Sequence, residues 1–277
     1  MIKTLKILSI NIRSLWPKIE ELKNYCYKND IDIINVQESW IGSDKPTPII
    51  PSYNTITNTN ERSKGAGLVT FINSKIKFKM IKKLDNINGI EGIFFKIYTD
   101  DGNMTIGNIY IHPGYNNSKM EKFYNEMSKI PRIDLLIGDF NAHNKGWSIK
   151  SNRMGTVIKN YTEANSYKIL NDKKIYTHCN SKNGTMGSPD LAMFSKEKMI
   201  ECTWEVGEDM SSDHLPMIVT IKMKNKHICR HRNKHWIYEK CDKHIFSTKF
   251  ISEIRRSKNE IKSINIDKIN EQLQKFC

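Results

Sequence analysis

The sequence predicts an α/β layered domain built on a largely antiparallel sheet, and three observations carry that expectation. Leu5-Lys-Ile-Leu-Ser-Ile-Asn11 and Asp32-Ile-Ile-Asn-Val-Gln-Glu38 read as aliphatic strands, with a helix-spaced stretch between them. From Tyr53 to His112 the pattern changes to consecutive short strands separated by turn residues, which implies pairing between sequence neighbours. Ile133, Leu135, Leu136 and Ile137 then form a nearly continuous apolar run, as a strand buried on both faces requires.

The helix of the first unit spans Ser14 to Asn29, since Pro17 sits in the first turn and Ile19, Leu22 and Cys26 recur at helical spacing. The short strands cover Tyr53 to Thr57, Ala66 to Ile72, Phe78 to Leu84, Ile93 to Tyr98 and Met104 to Ile111. Gly65, Asn86 to Gly89 and Asp100-Asp-Gly102 separate them. A helix over Ser118 to Ile130 leads to the apolar strand, which Gly138 ends. If the backbone stays extended past that glycine, Asp139 and Asn141 project to the same side. Thr156 to Asn165 reads as helix, and Asp190 to Phe194, Cys202 to Val206 and Leu215 to Ile221 as strands. The domain therefore ends near residue 221, and Lys222 to Cys277 forms a separate, basic and partly helical segment.

The 277 residues, 38% of them apolar, suffice for one large core with an appendage. No run of eighteen apolar residues occurs, and Met1 to Leu8 alternates lysine with aliphatics, so neither a membrane span nor a signal peptide is expected. Six scattered cysteines point to reduced thiols in an intracellular protein. The formal net charge is +14, and the segment from Lys222 holds fifteen Lys plus Arg against six Asp plus Glu. Such a balance suits a nucleic-acid partner, an anionic membrane surface, or simple solubility. There is no internal repeat, Walker-type phosphate loop or Gly-x-Ser-x-Gly elbow, which removes several enzyme classes.

Each expected strand end carries a group that a divalent cation or a phosphate would engage: Asn11, Glu38, Tyr110, Asp139 with Asn141, Asp190, and Asp213 with His214. A hard cation such as Mg²⁺ takes oxygen ligands and keeps several waters, so Glu38 and Asp213 suffice to hold it. Phosphodiester hydrolysis further needs a base for water, charge stabilisation on phosphoryl oxygens and help for the leaving oxygen. Asp139, His214 with Asn141, and the metal with Tyr110 are the candidates. Taken singly, each is as readily a solvated strand end, a packing tyrosine or a polar turn.

Taken together, Asn11, Gln37-Glu38, Tyr110-Ile-His-Pro113, Gly138-Asp-Phe-Asn141, Ser188-Pro-Asp190 and Ser212-Asp-His214 resemble the exonuclease-endonuclease-phosphatase superfamily in order and rough spacing. Gly138-Asp-Phe-Asn-Ala-His-Asn144 with Trp147 looks most like the apurinic-type endonuclease domain of jockey-like non-LTR retrotransposons. The resemblance covers residues 5 to 221. It implies a four-layered α/β sandwich of two mainly antiparallel sheets flanked by helices. It also implies Mg²⁺-dependent, or Mn²⁺-dependent, nicking of double-stranded DNA to leave a 3′-hydroxyl that primes reverse transcription.

By the same resemblance, Glu38 binds the metal with Asn11, Asp213 completes the metal side, and Asp139 orients or deprotonates the attacking water. Asn141 and His214 contact the scissile phosphate, Asp190 fixes the tautomer of His214, and Tyr110 supports the phosphate or leaving oxygen. Thr177 matches a phosphate-contacting threonine more weakly. Pro189 departs from the family's aliphatic residue and puts the pairing around Asp190 in doubt, because proline cannot donate to a sheet ladder.

Arg62, Lys64, Lys145 and Arg153 fall in expected loops near these strand ends, where they either follow a DNA backbone or are ordinary solvated charge. The basic segment resembles a connector to a reverse transcriptase, with Asn233-Lys-His-Trp236 and a helix near Ile245 to Ile254, although no polymerase motif follows. Full-length relatives would add element RNA and the polymerase as partners, and the nucleus as the site of action. His227, Cys229, His231, His235, Cys241 and His244 crowd the segment without the spacing of a standard zinc finger. The alternatives are another superfamily activity, such as abasic-site repair or phosphoinositide or sphingomyelin hydrolysis, and a catalytically dead nucleic-acid-binding relic.

Overall fold

The computed structural model describes residues 3–42, 46–59, 65–85, 89–99, 102–114, 117–180, 184–198 and 201–223. The chain divides into two compact units, Met1–His231 and Arg232–Cys277, and every described residue belongs to the first. The expected helix near Ile245 to Ile254 and the histidine and cysteine cluster of the basic segment lie outside the described residues.

Two six-stranded sheets form the domain. The first contains β1 (Lys3–Asn11), β2 (Ile33–Gln37), β3 (Tyr53–Asn58), β4 (Leu68–Asn73), and the last two strands of the domain, Cys202–Val206 and Met217–Met223. The second contains β5 (Lys77–Leu84), β6 (Ile90–Thr99), β7 (Gly102–Ile111), β8 (Leu135–Asp139), β9 (Tyr167–Ile169) and the strand Asp190–Ser195. A two-stranded ribbon, β10 (His178–Cys179) and β11 (Met186–Gly187), precedes that last strand, so Asp190–Ser195 is β12, Cys202–Val206 is β13 and Met217–Met223 is β14. The orders are β13-β14-β1-β2-β4-β3 and β5-β6-β7-β8-β12-β9.

Each sheet has one parallel pair, and in both cases a helix makes the crossover that parallel strands need. α1 (Ile19–Lys28), entered through a 3₁₀ turn at Trp16–Lys18, joins β1 to β2, and α2 (Asn117–Ser128) joins β7 to β8. All other neighbours are antiparallel hairpins or returns. α3 (Arg153–Ala164) follows β8.

Burial reveals the layers. Leu5, Ile7 and Ile33 of one sheet meet Ile93, Phe95, Leu135 and Ile137 of the other in a central apolar cluster. Their odd-even partners Leu8, Ile10, Ile34 and Val36 pack outward against Ile19, Leu22 and Cys26 of α1. Phe94, Ile109 and Leu136 pack outward against Phe123 of α2 and Ile158 of α3. Three apolar interfaces separate four layers, and the alternation of side chains along each strand produces them. The four-layered sandwich that the resemblance implies is the fold observed.

Helix and strand positions agree with the sequence reading to within a few residues. Three short strands, β9, β10 and β11, were not expected. β14 runs two residues past Ile221. Cys26, Cys179 and Cys202 are unpaired thiols. Among the described residues, no helix is long and apolar enough to cross a membrane.

Candidate active site

The sheets converge at one end, where β1, β2, β7, β8 and β12 deliver Asn11, Glu38, Tyr110, Asp139 and Asp190. Gly138 makes part of this convergence possible. Contrary to the expectation from sequence, it does not end β8, because the strand runs through it to Asp139. Its φ is +147°, and a Cβ there would lie 2.0 Å from the carbonyl oxygen of Ile109 on β7. Only a residue without a side chain lets the two strands approach so closely.

Asn141 also departs from expectation. The chain leaves extended geometry after Asp139, and Asn141 is left-handed with φ of 46°. It reaches Asp139 by turning back: its backbone N–H donates to Asp139 Oδ1 at 2.8 Å, and its Nδ2 donates to the Ile111 carbonyl at 2.8 Å. The following loop is held by Asn152, whose Nδ2 donates to the Asn141 carbonyl and whose Oδ1 caps α3 by accepting from Gly155 N at 2.7 Å. Trp147 is buried there and donates to the Ala142 carbonyl.

Asn11 Nδ2 lies 2.9 Å from Glu38 Oε1 and 2.9 Å from Asp139 Oδ2. Both carboxylates accept only, so the amide nitrogen must be the atom between them. Glu38 Oε1 also accepts from the Tyr110 hydroxyl at 2.8 Å, and Oε2 from Trp40 Nε1 at 3.2 Å. Burial, with the Glu38 charge beside it, pushes the Tyr110 phenol far above its usual range, so it stays a hydrogen-bond donor. Burial likewise raises Asp139 above ordinary carboxylates. The neighbouring Asp190 charge adds to this and His214 opposes it.

His214 Nδ1 faces both oxygens of Asp190, at 3.0 and 2.9 Å. Burial alone disfavours the imidazolium, but the Asp190 charge and hydrogen bond outweigh it and lift His214 to about 9. Thr177 requires a correction. It is fully buried, and its hydroxyl donates to Asp190 Oδ2 at 2.6 Å. Its position holds the carboxylate and leaves no face for a phosphate. Pro189 does not disturb the pairing, because β12 begins at Asp190, in register with Asp139, and the Pro189 carbonyl accepts from Phe140 N at 3.1 Å.

Asp213 is ion-paired with Arg13 and lies 3.6 Å from His178 Nε2. Its loop is tied to the site by the Ser212 hydroxyl, which donates to the Asn11 carbonyl at 2.7 Å. Lys145 and Arg153 are exposed on the loop after Asn141 and at the start of α3. Arg62 and Lys64 lie outside the described residues. Arg13, Trp40 and His178 are not singled out by the sequence, and Ser212 enters there only as the first residue of the Ser212-Asp-His214 motif. The backbone marks the region: Arg13, Ser14, Glu38, Trp40 and Asn141 are all left-handed non-glycine residues, a strain that accumulates at functional sites.

The donor set fits a hard divalent cation. Glu38 supplies a carboxylate, and Asn11, whose Nδ2 faces that carboxylate, has its Oδ1 buried without a hydrogen-bond partner.

Residues 104–218 match a family model described as endonuclease-reverse transcriptase. Among solved structures, the endonuclease domain of TRAS1, a telomere-specific non-LTR retrotransposon, superposes with a TM-score of 0.64 at 18% identity, covering 80% of this chain and 100% of that one. The domain has the exonuclease-endonuclease-phosphatase fold. An AP endonuclease from Leishmania major shares it with a TM-score of 0.65 at 10% identity over 80% of this chain and 88% of its own. The catalytic domain of Xenopus laevis APE2 shares it with a TM-score of 0.64 at 16% identity over 79% and 92%. A comparison with curated protein sequences gave no match. Within the exonuclease-endonuclease-phosphatase fold, the cluster of Asn11, Glu38, Asp139, Asp190 and His214 occupies the ends of the central strands of both sheets.

Proposed function

We propose that the domain is a divalent-metal-dependent endonuclease that hydrolyses phosphodiester bonds of double-stranded DNA. In this reading it nicks target DNA to give the 3′-hydroxyl primer for reverse transcription of a non-LTR retrotransposon, in the nucleus, alongside element RNA and a reverse transcriptase. The observation that carries the proposal is the Asp190–His214 dyad held beside Asp139, with Asn11 joining Asp139 to Glu38. The structure resembles that of a retrotransposon endonuclease domain, which supports the biological setting.

Glu38 and Asn11 would hold Mg²⁺ or Mn²⁺, with Asp213 as a further carboxylate ligand. The cation supplies neutralisation of charge on the phosphoryl oxygens. Asp139 orients the attacking water and takes its proton, and Asn141 fixes the Asp139 carboxylate through the backbone bond to Oδ1. Asp190 holds His214 Nδ1, which leaves Nε2 of the imidazolium to stabilise the charge developing on phosphate. Thr177 keeps Asp190 in place. Tyr110 and Trp40 donate to Glu38 and orient it. Lys145 and Arg153 follow the DNA backbone.

Supercoiled plasmid incubated with the protein tests the reading. Open circles should form with Mg²⁺ or Mn²⁺ and not with chelator; undiminished cleavage in chelator would overturn the mechanism. A duplex with one abasic site, run in parallel, separates general nicking from abasic-site repair.

A further inference from the structure

A second cluster of metal-ligating side chains shares His214 with the dyad and adds His178, a residue that takes no part in the chemistry above. His178, Asp213 and His214 each offer one ligand atom, and these atoms lie within 4.8 Å of one another. The fold brings them together by a specific local pairing. His178, on the two-residue strand β10, forms an isolated antiparallel bridge with His214, and their rings sit 4.5 Å apart. Cys179 N donates to the Asp213 carbonyl at 3.0 Å and Leu215 N to the Thr177 carbonyl at 2.7 Å, so both segments are fixed on either side of the histidines.

The donor chemistry differs from that of the Glu38 side. Glu38 and Asn11 present oxygens alone, which suit Mg²⁺, whereas two imidazoles and one carboxylate suit borderline-soft transition cations, zinc above all. His178 Nε2 and Asp213 Oδ2 are already 3.6 Å apart, close to the ~3.4 Å that two ligands of a tetrahedral zinc keep between them. Asp190 engages His214 Nδ1, the carboxylate-histidine arrangement that orients a metal-ligating imidazole through its other nitrogen. Asp213 Oδ1 is buried and has no hydrogen-bond partner. The Arg13 guanidinium pairs with this carboxylate but is about half exposed, so a cation displaces it at little cost.

We propose that His178, Asp213 and His214 form a zinc-class site whose occupation withdraws His214 from phosphate and silences the nuclease. The inhibitory consequence rests on the endonuclease reading; the binding itself does not.

Calorimetric titration of the full chain with ZnCl₂, and cobalt spectroscopy of the same protein, test the binding. His178→Gln should remove one zinc equivalent and one cobalt d–d band. Thiolate charge transfer from cysteines elsewhere in the chain should be unchanged. His178→Cys, which restores a ligand, should keep the equivalent and gain a new thiolate band. Unchanged stoichiometry in folded His178→Gln, or a His178→Cys that binds without the thiolate band, overturns the site. In plasmid nicking at saturating Mg²⁺, the zinc concentration that halves the rate should rise at least ~10-fold in His178→Gln, the scale on which loss of a metal-supporting group acts. Equal zinc sensitivity in a nicking-competent His178→Gln refutes inhibition through this site. If the wild-type protein does not nick, the endonuclease reading falls and the binding experiments alone decide the metal site.

Discussion

Gln37 Nε2 donates to Asn108 Oδ1 at 2.7 Å across the interface between the two sheets, directly beneath the site. Gln37 also donates to the Ser9 hydroxyl at 3.0 Å, and Asn108 Nδ2 contacts Thr70 Oγ1 at 3.1 Å. This polar bridge fixes how far β2 slides against β7, and hence where Glu38 stands relative to Tyr110. Asn108→Leu leaves Gln37 Nε2 with one acceptor fewer and Thr70 short of a partner, all in the interior. It should lower stability by ~2–4 kcal/mol, since each buried group left unpaired costs ~1–3 kcal/mol. Urea denaturation measures this, and a loss below ~1 kcal/mol would show the bridge to be dispensable.

His214→Ala removes the imidazole that Asp190 orients. Nicking should fall at least ~100-fold, the scale for a positioned acid-base or charge-stabilising group. Thr177→Val should act more mildly, because it frees Asp190 Oδ2 without removing the dyad. A fall of only a few fold in His214→Ala would remove that residue from the chemistry.

Trp40 touches the metal ligand and not the substrate in the proposed reaction, so its loss should appear in metal affinity. Trp40→Phe deletes the donor to Glu38 Oε2 while keeping an aromatic ring. The Mg²⁺ concentration for half-maximal nicking should rise ~10-fold with the rate at saturating Mg²⁺ nearly unchanged. An unaltered Mg²⁺ dependence would show that Trp40 does not orient Glu38.

Asp32 gives a pH dependence of stability away from the site. Burial pushes its carboxyl up to about 6, although the Lys6 backbone N–H donates to Oδ2 at 3.0 Å. A carboxyl raised above its unfolded value binds its proton more tightly when folded. The associated stability is therefore complete below about pH 4 and is lost as pH rises through about 6. Asp32→Asn keeps an acceptor for Lys6 N and cannot ionise. It should be more stable than wild type by roughly 1–2 kcal/mol at pH 8 and nearly equal to it at pH 4, allowing for partial exposure. Thermal melts at the two pH values check the sign; a greater advantage for Asp32→Asn at pH 4 would reverse it.

The sequence disclosed those features that repeat along the chain. The aliphatic run Leu135-Leu-Ile137 marked β8, and the spacing of Ile19, Leu22 and Cys26 marked α1, because periodicity is a local property. β9 spans three residues, and β10 and β11 two each, too short to carry any period, and they exist through pairing with distant partners. Asn141 neighbours Asp139 as strand alternation predicts, but through a turn instead of an extended backbone, since alternation along a strand cannot foresee a left-handed residue. His178 carries no local signal in the sequence, because its significance depends on the bridge to His214, 36 positions further along the chain. Thr177 was visible as a polar residue, but burial alone determines that its hydroxyl meets a carboxylate and not a phosphate.

The basic segment supplies the last test. It holds fifteen Lys plus Arg against six Asp plus Glu and none of the groups placed in the chemistry, so its expected role is to bind DNA without cutting it. Every phosphate neutralised on double-stranded DNA releases counterions and steepens the fall of log K with log salt by about 0.9. If a few of the fifteen basic residues touch phosphate, deleting the segment should flatten the slope by ~2 to 5 units and leave nicking at low salt intact. The cut belongs after Met223, because β14 pairs with β1 as far as Met223↔Lys3 and an earlier truncation would fray a central strand. DNA affinity at several salt concentrations is to be compared between the full chain and residues 1–223, with circular dichroism to establish that the shorter protein is folded. An unchanged slope in a folded truncation removes the segment from the DNA interface and places the contacts on the domain itself, with Lys145 and Arg153 the first residues to substitute.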